Sequence, residues 1–243
     1  MQRISVQNLS KSYTVGHKGS QSVLDIVVSL FTGREHKKPL LVLDNVSFSV
    51  QAGEIVGIVG KNGSGKSTLL RILVDILEKD SGEVHLSGKV VPLIQLGDGM
   101  KTRLTLKDNI YLACTLLGFS QREIVEKFDA IVAYAELENF VYTKWYQFSL
   151  GMKQRAVFSI IIHTEPEILL LDEVFSAGDE SFRKKTLTDM LKFAHAGTSI
   201  LMVGHGLEIL EKYCDRIIWI DAGKVRADGK PTEIINMYKE HVT

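Results

Sequence analysis

The sequence predicts an α/β fold: a mostly parallel central sheet with helices on both faces, an antiparallel β edge and an inserted helical part. Short apolar runs alternate with segments of helical spacing along most of the 243 residues, and strands separated by helices form parallel sheets. One apolar run, Glu54–Val59, leads through a glycine-rich loop into the helical segment Ser67–Leu77. A polar, mostly helical stretch from Thr105 to about Tyr146 differs in composition from its strand-rich flanks, so we interpret it as the insertion.

The charge, the apolar content and the cysteines of the chain indicate which classes of protein it can belong to. The formal net charge is zero, so no global positive field favours nucleic acid, and no nucleic-acid partner is expected. Apolar residues make up 45% of the chain, but no run approaches the roughly eighteen residues that span a bilayer. The first ten residues lack the apolar core of a signal peptide, so none is expected. Cys114 and Cys214 lack metal-ligand spacing and are expected to be buried, reduced thiols.

The loop after Val59 carries the strongest motif. Residues 60–68 read GKNGSGKST and fit the phosphate-loop pattern G-x-x-x-x-G-K-S in full. In such a loop the glycines let backbone N–H groups turn toward phosphate oxygens, and the helix N-terminus adds partial positive charge. Lys66 is expected to reach the β- and γ-phosphates, and the Ser67 hydroxyl to bind Mg²⁺.

The alternative is a glycine-rich turn without a ligand, but the full pattern in a strand–loop–helix frame favours a nucleoside triphosphate. The predicted nucleotide-binding residues of the loop are Gly60, Lys61, Asn62, Gly63, Ser64, Gly65, Lys66, Ser67 and Thr68.

Two N-terminal strands enclose an unusual segment. Ile4–Leu9 is predicted as an edge strand, and Leu41–Val50 as a strand whose alternate residues from Val42 to Val50 share one side. Between them, the apolar residues of Val23–Phe31 recur with helical spacing and are flanked by basic residues. This short amphipathic helix either packs on its own domain or lies at a membrane surface near lipid phosphates.

A second motif follows a buried strand. Ile168–Leu171 is an apolar run that leads into two carboxylates, Asp172 and Glu173. Many strands end in acidic residues, but about 105 residues after a phosphate loop this pattern indicates a site for Mg²⁺ and an activated water. Asp172 is expected to hold Mg²⁺ through a water molecule, and Glu173 to polarise the water that attacks the γ-phosphate.

A third motif, FSLGMKQR, occupies residues 148–155. Here the sequence resembles the ABC-type ATPases, whose signature reads LSGGQ-x-Q-R. The serine, the second glycine, the glutamine and the arginine match, whereas Phe148, Leu150 and Met152 depart from the commonest form. Ser149 and Gly151 would begin a helix whose N-terminal amides and hydroxyl can bind a γ-phosphate. The alternative is an ordinary serine N-cap.

The resemblance covers essentially the whole chain and implies roles for further residues. Tyr13 would stack on adenine, although it also fits a core aromatic. Gln95 would contact Mg²⁺ or the attacking water and sense the partner subunit, and Asp179 would cross the dimer interface. His205, after the predicted strand Ser199–Val203, would hydrogen-bond the γ-phosphate, although it also fits a structural histidine.

The cofactors implied are ATP and Mg²⁺. The predicted catalytic residues are Glu173, His205, Gln95 and Lys66, and the predicted metal ligands are Ser67, Gln95 and Asp172. The predicted signature residues, acting on the partner subunit's ATP, are Ser149, Gly151 and Met152.

Further segments narrow the resemblance to exporters of bacterial surface polysaccharide. Those ATPases have segments similar to LDEVFSAGDESFRKK and to LIQLGDGM followed by LTLKDNI. Met152 and an extra helix between the first strands also recur there. The resemblance implies an ATP-hydrolysing subunit that homodimerises, docks on two copies of a membrane permease and powers export of lipid-linked polysaccharide such as O-antigen, capsule or teichoic acid. It would be peripheral, on the cytoplasmic face of the bacterial inner membrane. Alternatives are an ABC subunit for a lipid or drug cargo, and a soluble non-transport ABC ATPase.

We expect residues 1–243 to form one ABC ATPase domain. Residues 1–100 and 151–243 would form the core with its β subdomain, residues 101–150 the helical subdomain, and residues 14–39 the inserted segment. The remaining predicted elements are a helix near Arg183–His195, a strand Arg216–Asp221, a tight turn at 221–224 and a final helix Pro231–His241.

Overall fold

Two sheets and seven helices make up the part of the chain that the computed structural model describes, which is residues 1–15, 38–93, 99–172, 180–204 and 206–242. The strands are β1 Gln2–Val15, β2 Lys38–Gln51, β3 Ile55–Val59, β4 Ser81–Leu86, β5 Val90–Pro92, β6 Ile168–Leu171, β7 Ser199–Val203, β8 Arg216–Asp221 and β9 Lys224–Gly229. The helices are α1 Lys66–Leu73, α2 Leu106–Leu116, α3 Gln121–Ala135, α4 Leu150–Ile162, α5 Glu180–His195, α6 Leu207–Tyr213 and α7 Pro231–Val242, with 3₁₀ turns at Glu138–Phe140 and Trp145–Gln147.

The central sheet has six strands in the order β5-β6-β7-β3-β8-β9. Its neighbouring strands are parallel except β8 and β9, which form a hairpin at the edge. All five residues of β3 are buried, as expected for a parallel strand covered on both faces. Val56 and Ile58 face one core, whereas Ile55 and Val59 face the other. The α/β fold with a mostly parallel sheet is therefore confirmed.

The two faces of this sheet carry different layers. One face packs against α1 and against a three-stranded antiparallel sheet in the order β2-β1-β4. The other face packs against helices, including α2 and α3 of the predicted helical insertion and the signature helix α4. Capping boxes at Thr105 and Ser120 start α2 and α3. In each, the cap hydroxyl accepts the backbone N–H of the acidic residue three positions on, and the carboxylate of that residue accepts the backbone N–H of the cap residue.

The expectation that Ile4–Leu9 is an edge strand is wrong. This segment belongs to β1, which pairs with β2 on one side and with β4 on the other. The pairing with β4 left little signal in the sequence, because Ser81–Leu86 alternates between exposed and half-buried residues and has few strongly apolar positions. β1 is therefore the central strand of its sheet.

The expected alternation in β2 holds only over part of the strand. Val46, Phe48 and Val50 share the buried face, but Leu43 rather than Asp44 continues it. Asn45 has a positive φ of 56°, and the pairing with β1 is irregular at this point. Such a bulge moves the alternation by one residue, which no local pattern predicts.

The predicted helix Ser67–Leu77 ends earlier than expected. α1 stops at Leu73, and Asp75 lies in the left-handed region with φ of 59°, which terminates the helical path. The predicted amphipathic helix Val23–Phe31 lies outside the described residues, as does most of the segment 14–39. None of the described helices is long and apolar enough to span a membrane.

Both cysteines are free and buried. Burial raises the pKa of the Cys114 thiol to about 11 and that of Cys214 to about 12. Because the thiolate is the reactive form, both are expected to be inert packing residues.

Candidate nucleotide-binding site

The phosphate loop joins β3 to α1, as predicted. Gly63 and Gly65 have positive φ values of 80° and 105°, in the region that favours glycine. At Gly60 a Cβ would overlap the carbonyl oxygen of Ile220 in β8, so no other residue fits there without moving the loop. The glycines of the motif are therefore required by the conformation of this loop.

Contacts from β2 hold the end of the loop. A Cβ at Gly65 would lie 2.7 Å from both the Val42 carbonyl oxygen and the Leu43 side chain. The β8–β9 turn also approaches Val42, because a Cβ at Gly223 would be 2.6 Å from the same carbonyl oxygen. The backbone N–H of Asp44 donates to the Gly223 carbonyl at 2.9 Å. The loop is thus packed closely against strands of both sheets.

Lys66 starts α1 and is 6% exposed. Its ammonium donates to the carbonyl oxygens of Gly60 at 2.7 Å and of Lys61 at 3.0 Å, so it is held against the inside of the loop. The first turn of α1 contains no acidic residue. A preset ammonium beside a helix N-terminus is suited to an anion with several oxygens, such as a triphosphate.

Hydroxyl groups of the loop complete this surface. The Ser64 hydroxyl is buried and has no hydrogen-bond partner among the described residues, which is costly for a polar atom without a ligand. The side chain of Ser67, the predicted Mg²⁺ ligand, is exposed at the start of α1. Lys61, Asn62 and Gly63 are exposed as well.

Asp172 lies at the same edge of the sheet as the loop. It directly follows β6, and β6 is separated from β3 only by β7. Leu171 and Gly57 are both in register with Met202 of β7, so the two strands end at similar levels. Asp172 is half-buried. The predicted site residues Gln95, Glu173, Asp179 and His205 lie outside the described residues.

The signature motif forms the start of α4. Ser149 is the N-cap, and its hydroxyl accepts the backbone N–H of Met152 at 3.2 Å. This bond leaves the hydroxyl proton able to donate to an external oxygen. Leu150 is 65% exposed, whereas Phe148 is buried and stacks on Trp145 at a centroid distance of 5.4 Å. Phe148 in place of the usual leucine thus anchors the helix, and the next two residues are left on the surface.

Tyr13 lies on β1 opposite Leu40 and is half-buried. The Lys11 ammonium is 6.0 Å from the centre of its ring. Lys11 pairs with Leu43, the residue that contacts Gly65, so Tyr13 is two positions beyond the contact between β1–β2 and the phosphate loop. Its predicted stacking on adenine stays a prediction.

Sequence reasoning missed the residues that support the loop. Ile220, Val42 and Leu43 come from strands far from residues 60–68 in the chain, and they act through backbone atoms or packing. The predicted tight turn at 221–224 was one local signal for this support. Its residues Ala222 and Gly223 both have positive φ, which fits a tight turn.

Comparisons with known proteins agree with this geometry. A family model described as ABC transporter matches residues 43–176. The chain is 34% identical over 243 residues to the O-antigen export system ATP-binding protein RfbB of Klebsiella pneumoniae, covering 98% of this chain and 97% of the relative. It is 37% identical over 238 residues to the teichoic acids export ATP-binding protein TagH of Enterococcus faecalis, covering 98% of this chain but 52% of TagH.

Solved structures share the fold. One, described as the ATP binding subunit of an ABC transporter, has a TM-score of 0.76 at 24% identity and covers 98% of this chain and 93% of its own. Another is an ATP-binding cassette solved as a dimer in a post-hydrolysis state with ADP and Pi, with a TM-score of 0.76 at 24% identity and coverage of 94% and 98%. With the family model and the near full-length relatives, these findings establish that the chain belongs to the ABC transporter family, as one of its ATP-hydrolysing cassettes.

Proposed function

We propose that this chain is the nucleotide-binding subunit of an exporter of lipid-linked polysaccharide, working as a head-to-tail homodimer on a two-copy permease. The observation that carries the proposal is the similarity to RfbB over nearly the whole of both chains. RfbB is named as a component of O-antigen export, and TagH as a component of teichoic acid export. Two relatives with different polymers point to polysaccharide export as the shared activity, rather than to one sugar.

In the proposed site, Lys66 and the loop N–H groups hold the triphosphate, and Tyr13 stacks on the adenine. Ser67, Gln95 and Asp172 are the proposed ligands of Mg²⁺. When bound, the ion would neutralise charge on the β- and γ-phosphates. The donor set suits this ion, because Mg²⁺ prefers one or two protein oxygens together with phosphate and water.

Hydrolysis is proposed to use residues that follow the strand ends. Glu173 would accept a proton from the attacking water, and His205 would hydrogen-bond the γ-phosphate. Two groups are proposed to act across the dimer: Ser149, with Gly151 and Met152, on the second subunit's ATP, and Asp179 at the interface. The exposed N-terminus of α4, with a capped serine that can still donate, supports this assignment.

The helical insertion carries a surface suited to the permease, which we call the basic face. It consists of Lys101, Arg103, Lys107 and Lys144 with the exposed Tyr142 and Tyr146. Tyr146 N–H donates to the Thr102 carbonyl, and Thr105 pairs with Lys144, so the two segments are adjacent. The described residues include no ion pair to any of these four cations. Asp108 lies beside them, but its carboxylate accepts both the N–H and the hydroxyl of Thr105.

An apolar pocket adjoins the basic face, since Met100 precedes Lys101. The residues that line it include Pro92, Met100, Leu112, Ala113, Leu116 and Leu117. A cytoplasmic helix of the permease with acidic residues and one large apolar side chain would complement both the charge and the pocket. This surface and the bacterial permease would place the subunit at the cytoplasmic face of the inner membrane.

Docking is tested by reversing charge on the basic face. We expect Arg103→Glu with Lys107→Glu to abolish co-purification with the co-expressed permease and to remove the increase in ATPase rate that the permease causes. Charge reversal across an interface costs several kcal/mol, which corresponds to more than about a hundredfold in affinity. ATPase assays in nanodiscs with and without permease measure the effect.

The matched control is Lys79→Glu with Lys230→Glu, which changes the net charge equally at exposed positions away from the basic face. The control should keep both co-purification and stimulation. Export itself is measured in proteoliposomes loaded with lipid-linked polysaccharide and ATP. Absence of ATP-dependent transport in a complex whose ATPase is stimulated by the permease would contradict the proposed cargo.

A further inference from the structure

Three helices meet around one tyrosine in the helical part of the fold. Tyr134 lies near the end of α3, and its hydroxyl donates to the Asp189 carboxylate of α5 at 2.5 Å. Lys185, also on α5, places its ammonium 3.9 Å from the centre of the Tyr134 ring and donates to the Tyr134 carbonyl at 3.1 Å. Residues of α5 thus contact Tyr134 at the face of its ring, at its hydroxyl and at its backbone carbonyl.

The same cluster reaches the signature helix α4. Phe182, in the first turn of α5, packs edge-on against both Tyr134 and Phe158 of α4, at centroid distances of 6.0 and 6.5 Å. Arg155 of α4 lies 5.1 Å from the Phe182 ring and pairs with Glu136, the residue that ends α3, at 2.5 Å. Arg155 is the last residue of the signature motif, two turns from Ser149.

The hydrogen bond between the Tyr134 hydroxyl and the Asp189 carboxylate is strong because its acceptor is charged. Burial, and then the bond to Asp189, raise the pKa of the Tyr134 phenol, so it stays a neutral donor. Burial opposes ionisation of Asp189, but the bonds from Lys192 and Tyr134 hold its pKa below the usual value. A neutral phenol therefore donates to an ionised carboxylate throughout the neutral pH range, and charge-assisted bonds are about twice as strong as neutral ones.

We propose that Tyr134 and Asp189 act as positioning residues that set the orientation of the signature helix α4 relative to α5, and so present Ser149 correctly to the ATP of a second subunit. The inference rests on the proposed dimer. Neither side chain belongs to the phosphate loop or to the signature, so the contact acts on closure of the dimer rather than on capture of ATP by one chain. α5 begins at Glu180, directly after Asp179 in the chain, which is the residue proposed at the dimer interface.

The test removes only the hydroxyl. In Tyr134→Phe we expect kcat to fall about tenfold to a hundredfold, the scale of one hydrogen bond to a charged group, with the Kd of the monomer for ATP unchanged. In a Glu173→Gln background, the ATP-dependent dimer measured by light scattering should weaken by the same factor. Asp189→Asn, which keeps an acceptor oxygen, should retain most of the activity, whereas Asp189→Ala should match Tyr134→Phe.

Tyr213→Phe is the matched control, because this half-buried tyrosine of α6 has a lysine near its ring but no hydroxyl hydrogen bond among the described residues. It should leave kcat and dimerisation unchanged. Combining Tyr134→Phe with Asp189→Ala should add no further loss, since both remove the same contact. A lower melting temperature of Tyr134→Phe with kcat and dimer affinity unchanged would overturn the inference. If Glu173→Gln stayed monomeric with ATP, the proposed dimer would fail, and the inference with it.

Discussion

Replacing Lys66 with alanine is expected to weaken ATP binding by about a hundredfold, because a buried charge partner of the phosphates is worth about 3 kcal/mol. The ammonium is already placed by the carbonyl oxygens of Gly60 and Lys61, so its loss removes a group that needs no rearrangement to bind. Calorimetric titration with a non-hydrolysable ATP analogue measures the effect. Hydrolysis should fall at least as far.

Arg71→Ala is the control for Lys66→Ala, since it removes an exposed cation in the last turn of the same helix. Its affinity for the analogue should match that of the wild type. The assignment of the triphosphate site would be wrong if Lys66→Ala bound the analogue within about threefold of the wild-type Kd, because such a change is under 1 kcal/mol.

Replacing Glu173 with glutamine is expected to slow hydrolysis by about a thousandfold while ATP still binds, since a general base contributes roughly 10² to 10⁴ in rate. Glutamine has nearly the same shape but cannot accept the proton of the attacking water. ATP should therefore hold the chain as a dimer that is stable during size-exclusion chromatography. Single-turnover assays with labelled ATP separate the slow chemistry from binding.

The control is Glu167→Gln, which changes the same residue type at the opposite end of β6, where Glu167 accepts the backbone N–H of Lys89. This variant should hydrolyse ATP at close to the wild-type rate. Turnover by Glu173→Gln near the wild-type rate would show that another group activates the water.

The regular core was predictable because its signals are local. Ile168–Leu171, Ser199–Val203 and Arg216–Asp221 are strands with the predicted bounds, since each is a short apolar run that the sheet buries on both faces. The phosphate loop was predictable for a similar reason, because its spacing and its glycines encode the backbone path directly.

The features that the sequence did not predict depend mainly on contacts between residues far apart in the chain. The central place of β1 depends on pairing with β4, whose alternating surface gives little apolar signal. The bulge at Asn45 and the early end of α1 at Leu73 depend on single residues with positive φ that have several allowed conformations in isolation. The Tyr134–Asp189 contact joins residues 55 positions apart and has no motif.

Each ATP site is proposed to be completed by the signature of the other subunit, and a mixed dimer tests this arrangement most directly. Lys66→Ala disables a phosphate loop, and Ser149→Arg disables a signature. Two differently tagged chains are co-expressed, and the mixed dimer is isolated by sequential affinity purification before its ATPase rate is measured. In one mixed dimer the two changes are on separate chains, and in the other both are on the same chain, opposite a wild-type chain.

If the sites are shared, separate chains leave one intact site, formed by the loop of the Ser149→Arg chain and the signature of the Lys66→Ala chain. Placing both changes on one chain then disables both sites, because each retains one damaged half. We therefore expect measurable hydrolysis only from the dimer with the changes on separate chains. Hydrolysis only from the dimer with both changes on one chain would mean that each site is built within a single chain, and would contradict the account.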